Sequence, residues 1–351
     1  MEVYEYIFAA LVMVAVFTAA AYLAVTALPL YRAVSEVDQL KIVAQKVMNN
    51  ILLNPGHPHD WGSDVSVRAE DLASFGLASY TTLTREAYVL DQDKVQRLSP
   101  EVGPLYVPPR VALDLLGLGL DYGIKLEFAP VLNVELKPSQ GSEVVVKVTS
   151  EQGMPIEGAS VTIVAIYVSD GVLSSSKSNG QTSVDGVCTL SLTSPLPALL
   201  ITMVDYHGMK TVNVFTVGPG VQRSLVIGRS LIVDESIGLG DGLNGVTAYQ
   251  FFVSSGPEGS LEVRNASCTL NYVTTLEGYN VYDMGFEERG LVAIVTLLGN
   301  GELLAAYKLV PESYSSIAGE VRPPISYTLE RSVRIGLSHY NLRLTVWRMS
   351  W

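Results

Sequence analysis

The chain has 351 residues, too many for one domain of ordinary size, so two or three folded units are expected. Its 35 acidic residues against 23 basic ones give a formal charge of −12, which excludes a nucleic-acid surface, because phosphate needs a basic footprint. Only two cysteines occur, Cys188 and Cys268, which rules out a disulfide framework and leaves either one bridge or two buried thiols.

The first stretch is the strongest signal. Residues 6–31 read YIFAALVMVAVFTAAAYLAVTALPLY and carry no charge, flanked by Glu5 and Arg32. A bilayer-spanning helix needs about 20 apolar residues, and this run meets that. No basic residue precedes it, and it is too long for the apolar core of a signal peptide. The pattern then changes. Leu30, Ala33, Val37, Leu40, Ala44, Val47 and Ile51 alternate at spacings of 3 and 4, the mark of a helix with one packing seam. Arg32, Glu36, Asp38, Lys41, Gln45 and Lys46 lie off that seam. Asn54-Pro55-Gly56 is a strong stop. One helix of about 75 Å, kinked near Pro29, is therefore expected from about residue 3 to residue 53.

A hydrophobic first residue, Met1, a glutamate at the fifth position, Glu5, and an apolar run that continues into an amphipathic helix resemble a type IV pilin. The resemblance covers residues 1–53. It implies that a basic leader is removed before Met1 and that the apolar helices leave the membrane to form a filament core. It also implies that the Glu5 carboxylate pairs with the N-terminal amine of a neighbouring subunit. Met1, Glu5, Val37, Leu40, Val47 and Ile51 are the expected assembly residues. The stretch Gly56-His-Pro-His-Asp-Trp61-Gly62, with Phe75-Gly-Leu-Ala78 and Tyr88–Leu98 after it, is similar to archaeal surface proteins with an N-terminal anchor.

Residues 54–137 read as a small α+β module. His57, His59 and Asp60 invite a metal reading, but no third histidine or cysteine lies near, and the segment reads as a helix exit with Trp61 packed on the first domain. Tyr88–Leu98 opens as a strand and ends as a short helix; 107–117 is helical after Pro108-Pro109; 124–136 alternates as a strand. Asp91, Asp93, Asp114 and Glu127 are expected to be solvated charges. Residues 138–217 read as an antiparallel sandwich: a strand at 143–149, a turn feeding a strand within 153–163, a turn and another strand within 180–192, and strands at 198–204 and 211–217, separated by Gly, Pro, Asp and Ser turns. Pro155-Ile-Glu-Gly158-Ala-Ser-Val161 followed by Thr182-Ser-Val-Asp185-Gly186 resembles immunoglobulin-like and carboxypeptidase-regulatory-like domains, which implies a spacer or interaction module.

Residues 218–351 read as a further β-rich unit, with strands at 224–234, 246–254, 259–275, 291–298, 303–310, 326–335 and 341–347. The glycines between Gly238 and Gly245 match neither a calcium loop nor a phosphate loop. Asn265-Ala266-Ser267 is the one glycosylation sequon. The nucleophile elbow, the zinc-protease helix motif and the P-loop are absent, so neither enzyme activity nor a cofactor or metal is expected. The fold class expected is a long N-terminal hydrophobic helix followed by mainly-β domains. The function expected is a structural subunit that self-assembles into a helical homopolymer at the cell surface, after a membrane stage. The alternative is a single-pass membrane-anchored adhesin or binding protein with a surface or glycan ligand.

Overall fold

A computed structural model describes residues 2–80, 88–138, 143–169, 171–192, 198–237, 240–255, 261–285, 290–299, 301–316 and 325–349. The chain is a long N-terminal helix that carries a mainly-β head. Helix α1 spans Glu2–Leu53 without a break, about 78 Å at about 1.5 Å per residue. It ends because Pro55 cannot continue it and Gly56 takes a left-handed φ of 79°. The Asn54 side chain accepts from the Gly56 amide at 3.0 Å, and Trp61 Nε1 donates to the Pro55 carbonyl at 3.2 Å, so the exit is tied back on itself.

The next elements are β1 (Val89–Leu90), α2 (Gln92–Gln96), α3 (Pro109–Leu115) and β2 (Tyr122–Pro130). The chain then leaves this base and builds the distal head. The sandwich comes first: β3 (Leu132–Pro138), β4 (Glu143–Ser150), β5 (Ser160–Ser169), β6 (Val172–Gln181), β7 (Val187–Ser191), β8 (Ala198–Tyr206) and β9 (Met209–Val217). Sheet β3-β4-β7 faces sheet β6-β5-β8-β9 across a core of Val146, Val148, Val161, Ile163 and Leu200.

A second β unit follows: β10 (Val221–Ile227), β11 (Ser230–Asp234), β12 (Thr247–Ser255), β13 (Leu261–Thr269), β14 (Asn271–Leu276), β15 (Tyr279–Asp283), β16 (Leu291–Leu297) and β17 (Leu303–Tyr307). They form one sheet in the order β13-β12-β16-β17-β10-β11-β15-β14. The sheet folds over on itself, since Val233 and Tyr282 from one end share a core with Phe252, Ile294 and Leu304 from the other. Its outer face carries Phe251, Val253, Ala293 and Val295, which pack on Val164, Ile166, Leu199 and Ile201 of the sandwich. Strand β8 is thus covered on both faces, which is why ALLITMV reads as a continuous apolar run.

Finally the chain returns to the base as β18 (Ser313–Ser315), β19 (Ser326–Ile335) and β20 (Ser338–Arg348). The base sheet has the order β1-β19-β20-β2-β18, so strands from both ends of the sequence are paired within it. The expected unit 218–351 therefore divides, because 313–348 belongs with the base, and the sandwich begins at Leu132 rather than 138. Gly123 stands opposite Trp347 in this sheet, where a Cβ would lie 2.2 Å from the indole. Leu342, Leu344 and Val346 of β20 and Ile124, Leu126 and Phe128 of β2 share one core with Leu40, Ala44, Val47, Met48, Ile51 and Leu52 of the helix. Each large side chain buried there contributes about 1.5–3 kcal/mol before conformational entropy is counted.

A polar joint links base to distal head. Asp91 caps α2, accepting from the Asp93 amide at 2.9 Å and the Lys94 amide at 3.3 Å. Lys94 and Arg97 turn into the base. Lys94 Nζ donates to the Pro55 carbonyl at 2.8 Å and the Ala78 carbonyl at 3.1 Å. Arg97 donates to the carbonyls of Leu105, Trp61 and Val67 and lies over the Trp61 ring. Asp93 and Gln96 turn the other way. Lys308 Nζ donates to Asp93 Oδ2 at 2.9 Å, and Gln96 donates to the Val226 carbonyl while accepting from the Leu309 amide. Asp93 is 5% exposed and Lys94 0%, so the expectation of solvated charges fails at Asp93. Removing one partner strands a buried charge, at about 3–5 kcal/mol, whereas an apolar pair of similar volume can be neutral. We therefore expect Lys308→Ala to lower the melting temperature of the detergent-solubilised chain sharply, and the double change Asp93→Leu, Lys308→Met to lower it less.

Candidate functional site

Among the described residues of α1, those buried by the head run from Leu40 to Leu52. From Tyr4 to Leu23 every described side chain is exposed, including Tyr4 at 81%, Phe8 at 70%, Phe17 at 67% and Tyr22 at 70%. Leu11, Met13, Val14 and Val16 fill the remaining faces, so the helix is apolar all round. Such a helix needs apolar surroundings on all sides. Tyr4–Leu23 is long and apolar enough to cross a membrane, with about 30 Å of rise matching the hydrocarbon thickness. The one hydroxyl in its middle is satisfied internally, Thr18 Oγ1 donating to the Val14 carbonyl at 2.5 Å. Glu5 is exposed near one end of this surface. In a dry environment its carboxylate needs a cationic partner. Met1 lies outside the described residues.

The remaining expected assembly residues behave differently from Glu5. Leu40, Val47 and Ile51 are 2%, 2% and 0% exposed against the chain's own strands. They are spent inside one molecule and offer no surface to a neighbour, which corrects their expected role. Val37, 38% exposed, lies at the margin of the head. The seam spacing is real, but its partner is β2, β19 and β20 of the same chain.

The cysteines are free thiols in separate cores. Cys188 lies inside the sandwich with Leu190 and Val146, and Cys268 lies inside the second unit with Leu270 and Ala248. The bridge left open by the sequence is thus not formed, since two sheets and the apolar layer between them separate the two cores. Burial also raises both thiol pKa values, which makes them slow nucleophiles. Asn265 is exposed on β13, an edge strand. His59 stacks on Tyr80 at 4.4 Å, and Trp61 is buried beside Phe75, so 54–61 is the helix exit that the prolines suggested. Among the described residues no group of three His, Cys, Asp or Glu side chains is placed to hold a metal ion. Gly238 and residue 239 of the glycine-rich loop lie outside the described residues.

A cleft of about 460 Å³ opens where base, sandwich and second β unit meet, lined by Gln92, Phe215, Arg223, Tyr307, Glu312 and Tyr340 among others. Arg223 pairs with Glu101 at 3.2 Å and covers the Tyr307 ring at 5.0 Å. The sandwich reaches the base beside this cleft. The Lys210 amide donates to His339 Nδ1, the Val212 amide to Ser338 Oγ, and Asn341 Nδ2 to Glu151 Oε2. Arg343 pairs with Glu151 and Glu330. These joints, with Asp93, Lys94, Gln96, Arg97 and Lys308, are what sequence reading missed. The available signal was a charge-dense segment, Asp91–Arg97, set between apolar neighbours.

No protein-family model matches this chain, and no curated protein matches it. Two outcomes follow from the geometry. A chain lacking residues 1–23 is expected to stay in the aqueous phase of a detergent phase separation, while the full chain enters the detergent phase. Both thiols are expected to react with a thiol reagent only after unfolding, and reductant is expected to leave the melting temperature unchanged.

Proposed function

We propose that the chain is a structural subunit of an archaeal, extracellular, type IV pilus-like filament. The observation that carries this reading is the division of one continuous helix. The 20 residues Tyr4–Leu23 are bare on every face, while Leu40–Leu52 is clasped by the chain's own sheet. A helix of this kind is satisfied by lipid before assembly and by the same helices of other copies afterwards. A repeated identical contact of this sort extends into a helical polymer. The distal sheets sit at the opposite end of α1 from the bare segment, where a filament displays its outer surface. Glu5 supplies the carboxylate for the charge pair that the pilin resemblance implies at the dry end of the bundle.

The second reading keeps the helix in lipid as a single-pass anchor, with the distal sheets acting as an adhesin. It is favoured by the fit of Tyr4–Leu23 to one bilayer. The two readings part at the N-terminus and at the cell surface. Shearing of cells, followed by electron microscopy and mass spectrometry of the sheared fraction, is expected to give filaments built of this chain with Met1 as the processed first residue. Glu5→Gln is expected to abolish filaments while the chain stays in the membrane fraction. A chain that remains a membrane-bound monomer with an unprocessed N-terminus overturns the filament reading and leaves the anchored adhesin.

A further inference from the structure

The sandwich and the second β unit stack through Val164 and Ile166 on one side and Phe251 and Val253 on the other. Each of these strands has an edge neighbour. Among the described residues, strand β6 pairs only with β5, and β13 only with β12. The register puts Lys177 beside Val164 and Ser175 beside Ile166, so both share the face turned toward the second unit. Across the gap the register puts Asn265 beside Phe251 and Val263 beside Val253, on the face turned toward the sandwich. The two edges stand apart and leave a groove of about 580 Å³, lined by Val164, Phe251, Val263, Ser175, Lys177, Arg264 and Asn265 among others. That volume lies within the range of about 300–1,000 Å³ of small-molecule sites. The lining is apolar at the base and polar at the rim.

Asn265 is also the acceptor position of Asn265-Ala266-Ser267. In a strand, residues i and i+2 project from one face, so the carboxamide and the Ser267 hydroxyl are presented together. Both are exposed. Among the described residues the outer backbone edge of β13 has no strand partner, so an enzyme can approach without breaking the sheet. A modification here projects from the rim of the groove.

We propose that Asn265 carries an N-linked glycan and that its first sugars lie in the groove between β6 and β13. The proposal rests on the exported location given above. In the linking step Asn265 Nδ2 attacks the anomeric carbon of an oligosaccharide carried on a lipid phosphate. The C–O bond to phosphate breaks, its electron pair leaves with the phosphate, and the amide loses one proton to a base of the transferase. No oxidation or reduction is involved. Within the groove the C–H faces of the sugars cover Phe251, Val263 and Val164, and their hydroxyls accept from Lys177 and exchange hydrogen bonds with Ser175. Lys177 on the rim favours a glycan that contains an acidic sugar.

The test is mass spectrometry of the full chain isolated from the cells that make it, alongside the Asn265→Gln variant. Surface shaving of intact cells with protease is run in parallel, and Lys177 is followed by its rate of amine acylation. The expected result is a sugar mass on the peptide holding Asn265, none in N265Q, and acylation of Lys177 several-fold slower in the glycosylated chain than in N265Q. A shaved chain with bare Asn265 overturns the glycan while leaving the surface location intact. A glycan with equal Lys177 rates overturns its seating in the groove. A chain that protease cannot reach on intact cells overturns the exported location, and the glycan with it.

Discussion

A helix that water cannot solvate over its first half, but that forms the spine of a folded head over its second, is the constraint on which everything else in this protein depends. The helix has no break at which the two halves could be separated. Its lower half is covered by the protein's own strands, so the apolar upper half cannot fold back to hide there. It has to find lipid or other helices. Both ends of the sequence serve the covered half. Strand β2 comes after β1, α2 and α3, and β19 and β20 arrive from the far end of the chain to complete the clasp. The two distal units are therefore an insertion between neighbouring strands of one sheet, not beads on a string.

An insertion of this kind is held by two chain crossings, and two crossings alone would leave a hinge. The buried polar groups remove that freedom. Asp93 and Gln96 reach the second β unit from the same short helix whose Lys94 and Arg97 hold the helix exit. The sandwich is held to the base by a different set: the Lys210 and Val212 amides on His339 and Ser338, and Glu151 on Asn341 and Arg343. The sandwich and second unit then share an apolar core. Each of the three bodies is thus fixed to the other two. Buried ion pairs add little net stability compared with apolar substitutes, because desolvation offsets the Coulomb attraction. Their effect here is geometric: a carboxylate and an ammonium that are both dry accept only one relative placement of base and head.

Local pattern made much of this legible. The helix ends where Pro55 and Gly56 stand, β4, β5, β7, β8 and β9 lie close to their expected positions, and α2 and α3 occur where their caps and prolines point. The misses have physical causes. Strand β6, VLSSSKSNGQ, is an edge strand with solvent on one side, so it lacks an apolar alternation. Strands β10 and β11 read as one because the turn between them is only Gly228 and Arg229, with Gly228 at a φ of 55°. The return of β18–β20 leaves no trace in the sequence, since pairing between residues about 200 positions apart depends on no local signal. Asp93 looked solvated for the same reason: its partner, Lys308, is 215 positions away.

The helical seam shows most clearly what periodicity can and cannot say. Spacings of 3 and 4 through Leu40, Ala44, Val47 and Ile51 state that one face of the helix is covered; they do not name the cover. A neighbouring subunit and the chain's own sheet produce the same pattern. In the first half the pattern is missing altogether, with apolar residues on all faces from Tyr4 to Leu23, and that absence is the more informative observation. A helix packed on one globular partner needs one stripe. A helix surrounded by lipid or by several equivalent helices needs apolar side chains all round. The change from no stripe to one stripe along a single helix therefore marks where intermolecular surroundings end and the chain's own fold begins.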